Sequence, residues 1–167
     1  MNRYDIDDDI QKEHGMINLD LMVINLYPFE ETISGSNVNE VDAIENIDIG
    51  GPSMIRASAK NFYNKTILTD PDDYESFINE LQNYDCSISE ETRRNLAVKA
   101  FKRTAMYDSA IHNYFSEKID EESIPEEIAL ALKKISSLRY GENPHQKAGL
   151  YLSHEQRDSL TLSLIHI

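Results

Sequence analysis

Two short apolar runs stand out along the chain, and helical spacing fills most of the distance between and after them. Ile17 to Asn25 (INLDLMVIN) reads as a buried strand closing in Tyr27-Pro28-Phe29, because a proline cannot donate to a ladder. Lys65 to Thr69 (KTILT) reads as a second strand. Before the first run, Ile10 to Gly15 reads as a helix end with Gly15 as its stop. Ser34-Gly35-Ser36-Asn37 is a loop, and Asn37 is placed to cap a helix over Val38 to Asn46. Pro52, after the Gly50-Gly51 turn, suits the first position of a helix over Ser53 to Asn61. Asp70-Pro71-Asp72-Asp73 predicts a helix start, with the helix running from Tyr74 to about Asn83.

Beyond Ser87 the apolar positions Leu96, Ala97, Ala100, Phe101, Ala105, Ile111, Tyr114 and Phe115 recur at helical intervals, so one long helix is expected. Ser116 to Lys134 is an acidic connector interrupted by Pro125, with a short helix predicted over Glu126 to Lys134. A turn-rich segment, Leu138 to Gln146, precedes a strand at Ala148 to Leu152. Strands separated by helices predict parallel α/β packing. Parallel strands are normally buried on both faces of a larger sheet, however, and two before the connector are too few to make one.

Charge narrows the partners. The 30 acidic against 16 basic residues leave −14, and such a surface repels a phosphate backbone, which argues against nucleic acid. An anionic ligand must therefore be held by a few local cations and backbone N–H groups. No apolar run approaches the ~20 residues of a membrane span, so a soluble chain with no membrane partner is expected. The single cysteine, Cys86, excludes an internal disulfide, fits a cytosolic setting and reads as a partly buried small residue.

Most motif readings fall away. The five histidines have no metal-ligand spacing, and no metal site is expected. Asp5, Asp7 and Asp9 imitate a calcium loop, but Ile10 stands where glycine is needed and Met16 where a bidentate glutamate is needed. There is no GxSxG, Walker A or GxGxxG sequence. What remains is one constellation. Asn25 and Tyr27 leave a strand's carboxyl end, where open α/β sheets place ligands. Gly50 and Gly51 offer backbone N–H groups at a helix start, with Asp48 just before them, and Lys60 follows at that helix's end. Tyrosine, aspartate and lysine in one crevice can share proton transfer. A glycine pair is also an ordinary turn, and Arg56 with Lys60 an ordinary solvated face.

Five segments occur here in one order: Asn25-Leu26-Tyr27-Pro28-Phe29, Ile47-Asp48-Ile49-Gly50-Gly51-Pro52, Arg56-Ala57-Ser58-Ala59-Lys60-Asn61, Thr92-Arg93-Arg94 and Leu138-Arg139-Tyr140-Gly141-Glu142-Asn143-Pro144-His145-Gln146. Together they resemble the bifunctional AICAR formyltransferase/IMP cyclohydrolase family over Ile17 to Tyr151. The resemblance implies an α/β chain in three parts. Residues 1–118 would be the later part of a methylglyoxal-synthase-like (Rossmann-type) parallel-sheet cyclohydrolase domain. Residues 119–137 would be the connector, and 138–167 the truncated start of a cytidine-deaminase-like transformylase domain.

By motif, Lys60 matches the family's proton donor/acceptor, with Asp48 and Tyr27 as its catalytic partners. Ile24, Asn25, Ile49, Gly50 and Gly51 match nucleotide-contacting positions, and Arg139 and Tyr140 match residues that contact AICAR. The implied chemistry is cyclisation of formyl-AICAR to IMP without cofactor or metal. It is joined to formyl transfer onto AICAR, with 10-formyltetrahydrofolate as cosubstrate, in a cytosolic homodimer. The family's serine- and glycine-bearing first strand and its phosphate-gripping Arg-x-Lys-Thr segment do not precede Asn25, and Leu160 to Ile167 departs from the family. An internal fragment is expected, only marginally folded and essentially inactive alone. Two alternatives are a nucleotide-sensing regulatory module of the same fold and a non-catalytic structural remnant.

Overall fold

The computed structural model describes residues 7–35, 38–119 and 127–153. Its elements are α1 (Asp8–Glu13), β1 (Leu21–Val23), α2 (Phe29–Ile33), α3 (Glu40–Glu45), α4 (Gly50–Lys60), β2 (Thr66–Leu68), a 3-10 turn (Pro71–Asp73), α5 (Tyr74–Asn83), α6 (Glu90–Ile119), β3 (Leu132–Leu138) and β4 (Ala148–Ser153). Among the described residues the chain divides into two compact units. One takes the residues up to Pro28 with Ile44–Ala105, and the other takes Phe29–Ala43 with the residues from Met106 on.

The first unit is built on a parallel pair. Leu21, Met22 and Val23 lie opposite Thr66, Ile67 and Leu68, and the ladder extends through Thr66 N–H to Asp20 C=O and Ile24 N–H to Leu68 C=O. The long connection between the two strands, as a parallel pair requires, runs through α2, α3 and α4, and α4 leads directly into β2. Ile55 and Ala59 of α4, Ile67, and Ala97 and Ala100 of α6 form one buried cluster, against which Met22, Ile24, Leu26 and Phe62 pack. Leu68, Phe77 and Leu96 form a second, bordered by Tyr74, Leu81 and Ile88. All of β2 is buried, whereas Leu21 and Val23 of β1 are 40% and 48% exposed. The predicted nine-residue first strand is thus only three residues long. Ile17 and Leu19, which alternate with polar neighbours ahead of it, stand open to solvent.

Lys65 ties the two strand starts together. Its buried ammonium donates to Asn18 Oδ1 at 2.5 Å and lies 3.9 Å from the Asp20 carboxylate. Burial pushes its pKa down, and the Asp20 charge opposes that shift.

Helix ends follow their local chemistry. Asp70 Oδ1 accepts from Asp72 N–H, and Ser89 Oγ accepts from Thr92 N–H at the start of α6. Glu80 braces the same start, accepting from Ser89 N–H and the Thr92 hydroxyl, both at 2.8 Å. Gly15 adopts φ +59°, as a helix stop requires. Helix α4 begins at Gly50 rather than Ser53, so Pro52 is its third residue. It is tolerated there because the first-turn N–H groups have no partner within the helix. Asn37 lies outside the described residues; Asn39 Oδ1 accepts from Val41 N–H at the start of the shortened α3. Cys86 is exposed, not partly buried. It follows Asp85 in the left-handed region (φ +49° and +59°), and its N–H closes the end of α5 on Leu81 C=O. The backbone's turn, not the thiol's polarity, sets its place.

In the second unit Phe29 is fully buried, edge-on to Tyr107 and Tyr114 at 6.1 and 5.8 Å between ring centroids. Lys118 donates to Tyr114 Oη at 2.9 Å and pairs with Glu40 at 3.4 Å; that hydroxyl, then Glu40, raises its pKa. The unit also holds the antiparallel hairpin β3–β4, with an irregularity between Lys134 and Ser136. Leu132 to Lys134 is therefore strand, not the end of a helix. These residues gain cross-strand partners at Ser153, Leu152 and Tyr151, which local propensity does not reveal.

Candidate nucleotide site at the strand ends

The candidate site is assembled where β1 and β2 end and α4 begins. After Ile24 the chain leaves the ladder, and the side chains of Asn25, Leu26 and Tyr27 go three ways. The Asn25 amide reaches across to Tyr74, with Nδ2 3.1 Å and Oδ1 3.4 Å from the phenol oxygen. Leu26 packs inward against the start of α4. Tyr27 stays outward, 56% exposed.

Gly51 is the meeting point. A Cβ added there would fall 2.7 Å from Leu26 Cδ2 and 2.8 Å from Asp48 Cγ, distances no side chain tolerates. The glycine allows the strand end, the aspartate and the helix start to approach one another. Asp48, half-buried, accepts from Gly51 N–H through Oδ1 at 2.6 Å and so caps α4. Of the two amides expected to cradle an anion, Gly51's is therefore already engaged by a carboxylate. Its neighbour differs: a Cβ on Gly50 would meet nothing within 4 Å, and Ile49 is 77% exposed. Ile49 and Gly50 are the open surface of this turn, with a carboxylate beneath it. That arrangement suits hydrogen-bond donors of a neutral heterocycle better than a phosphate.

Lys60 is placed differently. It ends the eleven-residue α4, about 15 Å of helical rise from Gly50, and is exposed. Asp48 and Lys60 can thus act on one ligand only if it lies along the helix. The turn that follows Lys60 is firmly held. Asn61 Nδ2 donates to Ala57 C=O at 2.8 Å, Arg93 donates to Phe62 C=O at 2.9 Å and to Ile88 C=O, and the Arg94 guanidinium lies 4.8 Å from the Phe62 ring centroid. Arg56 lies 5.7 Å from the Phe101 ring centroid, a packing contact on an exposed face.

Arg139 and Tyr140 belong to the second unit, directly after β3, and both are exposed. The turn behind them is closed by Gly141 N–H to Gln146 C=O and by Asn143 N–H to Gln146 Oε1, at 3.0 and 2.9 Å. Sequence reasoning missed Tyr74. The only signal for it was its position just after the Asp70-Pro71-Asp72-Asp73 helix start, which says nothing of a partner 49 residues away.

Residues 58–165 match the AICARFT/IMPCHase bienzyme family, so the likeness continues past Leu160, where the sequence reading expects a departure from it. The chain belongs to that family. The matched segment contains Lys60, Arg139 and Tyr140; Tyr27 and Asp48 precede it. Relatives extend the likeness further along the chain. A protein named bifunctional purine biosynthesis protein PurH from Thermoanaerobacter sp. (strain X514) is 57% identical over 140 residues, covering 84% of this chain and 27% of that protein. Its namesake in Persephonella marina is 49% identical over 154 residues, 91% of this chain and 29% of that protein. The chain thus spans under a third of the length of these relatives. The crystal structure of ForH superposes with a TM-score of 0.63 at 30% identity, over 71% of this chain and 61% of that one. Among the described residues no helix is long and apolar enough to cross a membrane.

Proposed function

We propose that this chain is part of a bifunctional, cytosolic, homodimeric enzyme of purine nucleotide synthesis. It would transfer a formyl group from 10-formyltetrahydrofolate to AICAR and close formyl-AICAR to IMP. Residues 1–118 contribute the later part of a methylglyoxal-synthase-like cyclohydrolase domain, 119–137 a connector, and 138–167 the start of a cytidine-deaminase-like transformylase domain. Membership of the family supports this reading. So does one contact above all, Leu26 against Gly51, which joins two motifs distant in sequence at the strand ends.

The cyclisation is intramolecular. The carboxamide nitrogen forms a bond to the formyl carbon as the carbonyl π pair moves to oxygen, and one proton passes from that nitrogen to that oxygen. The carbinolamine then loses its hydroxyl with the proton of the former formamide nitrogen, releasing water. An oriented nucleotide, a donor to the developing oxyanion and a proton shuttle suffice. In this reading Ile24, Asn25, Ile49 and Gly50 orient the base, and Gly51, its amide held by Asp48, sets the turn beneath them. Asp48 accepts from the attacking nitrogen, and Tyr27 serves the carbinolamine oxygen. Lys60 is the proton donor/acceptor, reaching a nucleotide laid along α4. Arg139 and Tyr140 hold AICAR in the formyl-transfer site.

The test is Lys60→Ala in the full-length protein that carries this segment. Loss of general acid–base catalysis should lower kcat for cyclisation by about 10²–10⁴ with IMP affinity nearly unchanged. Equal losses in turnover and binding would reduce Lys60 to a binding group.

A further inference from the structure

The ring and the hydroxyl of Tyr74 face different surroundings. The ring borders the cluster of Leu68, Phe77 and Leu96, while the phenol oxygen reaches out of that cluster to the exposed amide of Asn25. Both polar atoms of the amide lie within reach of that one oxygen, at 3.1 Å for Nδ2 and 3.4 Å for Oδ1. A hydroxyl both accepts and donates, so it can hold the two atoms together and fix the plane of the amide. Tyr74 is itself well anchored. It opens α5 directly after the turn capped by Asp70, and the preceding Asp73 carboxylate is ion-paired with Lys99 of α6.

We infer that Tyr74 is a positioning residue for the cyclisation site, clamping Asn25 so that the free N–H and lone pair of its amide meet the carboxamide edge of the nucleotide. The inference rests on the reading of Asn25 as a nucleotide contact and adds what holds it. An exposed asparagine on a strand end samples several rotamers, and a ligand must select one of them. A clamped asparagine is already in place, and the benefit appears in binding rather than in the chemical step. The edge being read persists through the reaction. The N–H and C=O of the carboxamide become those of the lactam in the closed ring, so substrate and product should both feel the clamp.

Tyr74→Phe keeps the ring and removes only the hydroxyl. In the full-length protein it should raise KM for formyl-AICAR and Kd for IMP roughly threefold to tenfold, the range expected for one hydrogen bond. The kcat should stay within about twofold, and the unfolding midpoint should not move. Asn25→Ala should weaken the same two constants, and the double variant should be no weaker than the worse single one, because the hydroxyl acts only through the amide. Losses that add in the double variant, or a fall in kcat at unchanged KM, would overturn the clamp. If Asn25→Ala weakens binding and Tyr74→Phe does not, the clamp alone is wrong. If Asn25→Ala changes neither constant, Asn25 is no nucleotide contact and the clamp falls with that reading.

Discussion

Among the described residues both sheets have two strands, yet they are made in opposite ways. In β1–β2 every residue of the second strand is buried, and helices α4, α5 and α6 supply the side chains that cover it. In β3–β4 all seven residues of β3 are exposed, and among the described residues the hairpin is held by cross-strand pairing that is interrupted between Lys134 and Ser136. Backbone hydrogen bonds are common to both, so they do not account for the difference; burial of apolar area does. An isolated hairpin is marginal in water. The candidate residues inherit this contrast. Asn25, Leu26 and Asp48 are held by packing and side-chain bonds, whereas Arg139 and Tyr140 depend on the turn behind them.

The largest effect should come from cutting into each sheet in turn. Ile67→Ala, in the centre of β2, should cost about 2–5 kcal/mol of stability, whereas Ile135→Ala on the exposed β3 should stay within about 0.5 kcal/mol. Chemical denaturation of the two variants measures this, and equal losses would erase the distinction between the sheets. Next comes function. Arg139→Ala in the full-length protein should reduce formyl transfer roughly tenfold or more, as loss of a charge-assisted contact does, and leave cyclisation intact. Parallel assays of the two half-reactions check it, and a matching loss of cyclisation would break the separation. Within the packed region, Gly51→Ala should destabilise by about 1–3 kcal/mol through overpacking against Leu26 and Asp48. Gly50→Ala should fold normally, so any loss of nucleotide affinity in that variant reports a ligand at the open amide.

The smallest effect is a pH dependence at Glu80 in the packed region. Glu80 is held below the usual carboxylate range, first by the Ser89 N–H and then by the Thr92 hydroxyl. Its folded-state pKa is depressed, so the unfolded chain binds the proton first as acid is added. The contribution is present above the ordinary glutamate range and is lost as pH falls through the folded value. Glu80→Gln should flatten the acid limb of the stability curve slightly, as urea midpoints at stepped pH will show.

Sequence alone made much of the packed region legible, because its signals are local. Strand β2 lies within one residue of KTILT at each end, and α5 begins and ends as the Asp70-Pro71-Asp72-Asp73 start and helical spacing require. Strand β4 was likewise readable from its flanking turn. What escaped depends on distant partners. Helix α2 is invisible after Pro28, because Phe29 is buried by Tyr107 and Tyr114 of α6. Leu132 to Lys134 continue an acidic run that looks helical until β4 pairs with them. At the site, the motifs identified Asp48 and Gly51 but not their mutual contact, which leaves only Gly50 and Ile49 open. The Tyr74 bond to Asn25 was beyond any local pattern.

Lys65 gives the packed region a built-in reporter. Lys60 and Lys65 are five residues apart, one exposed and the other with no side-chain surface at all. An acylating reagent should modify the first on contact. It can reach the second only when the strand starts part and release its amine from Asn18 and Asp20. The ratio of the two labelling rates, followed by mass spectrometry over a time course, therefore reports how often the sheet breathes.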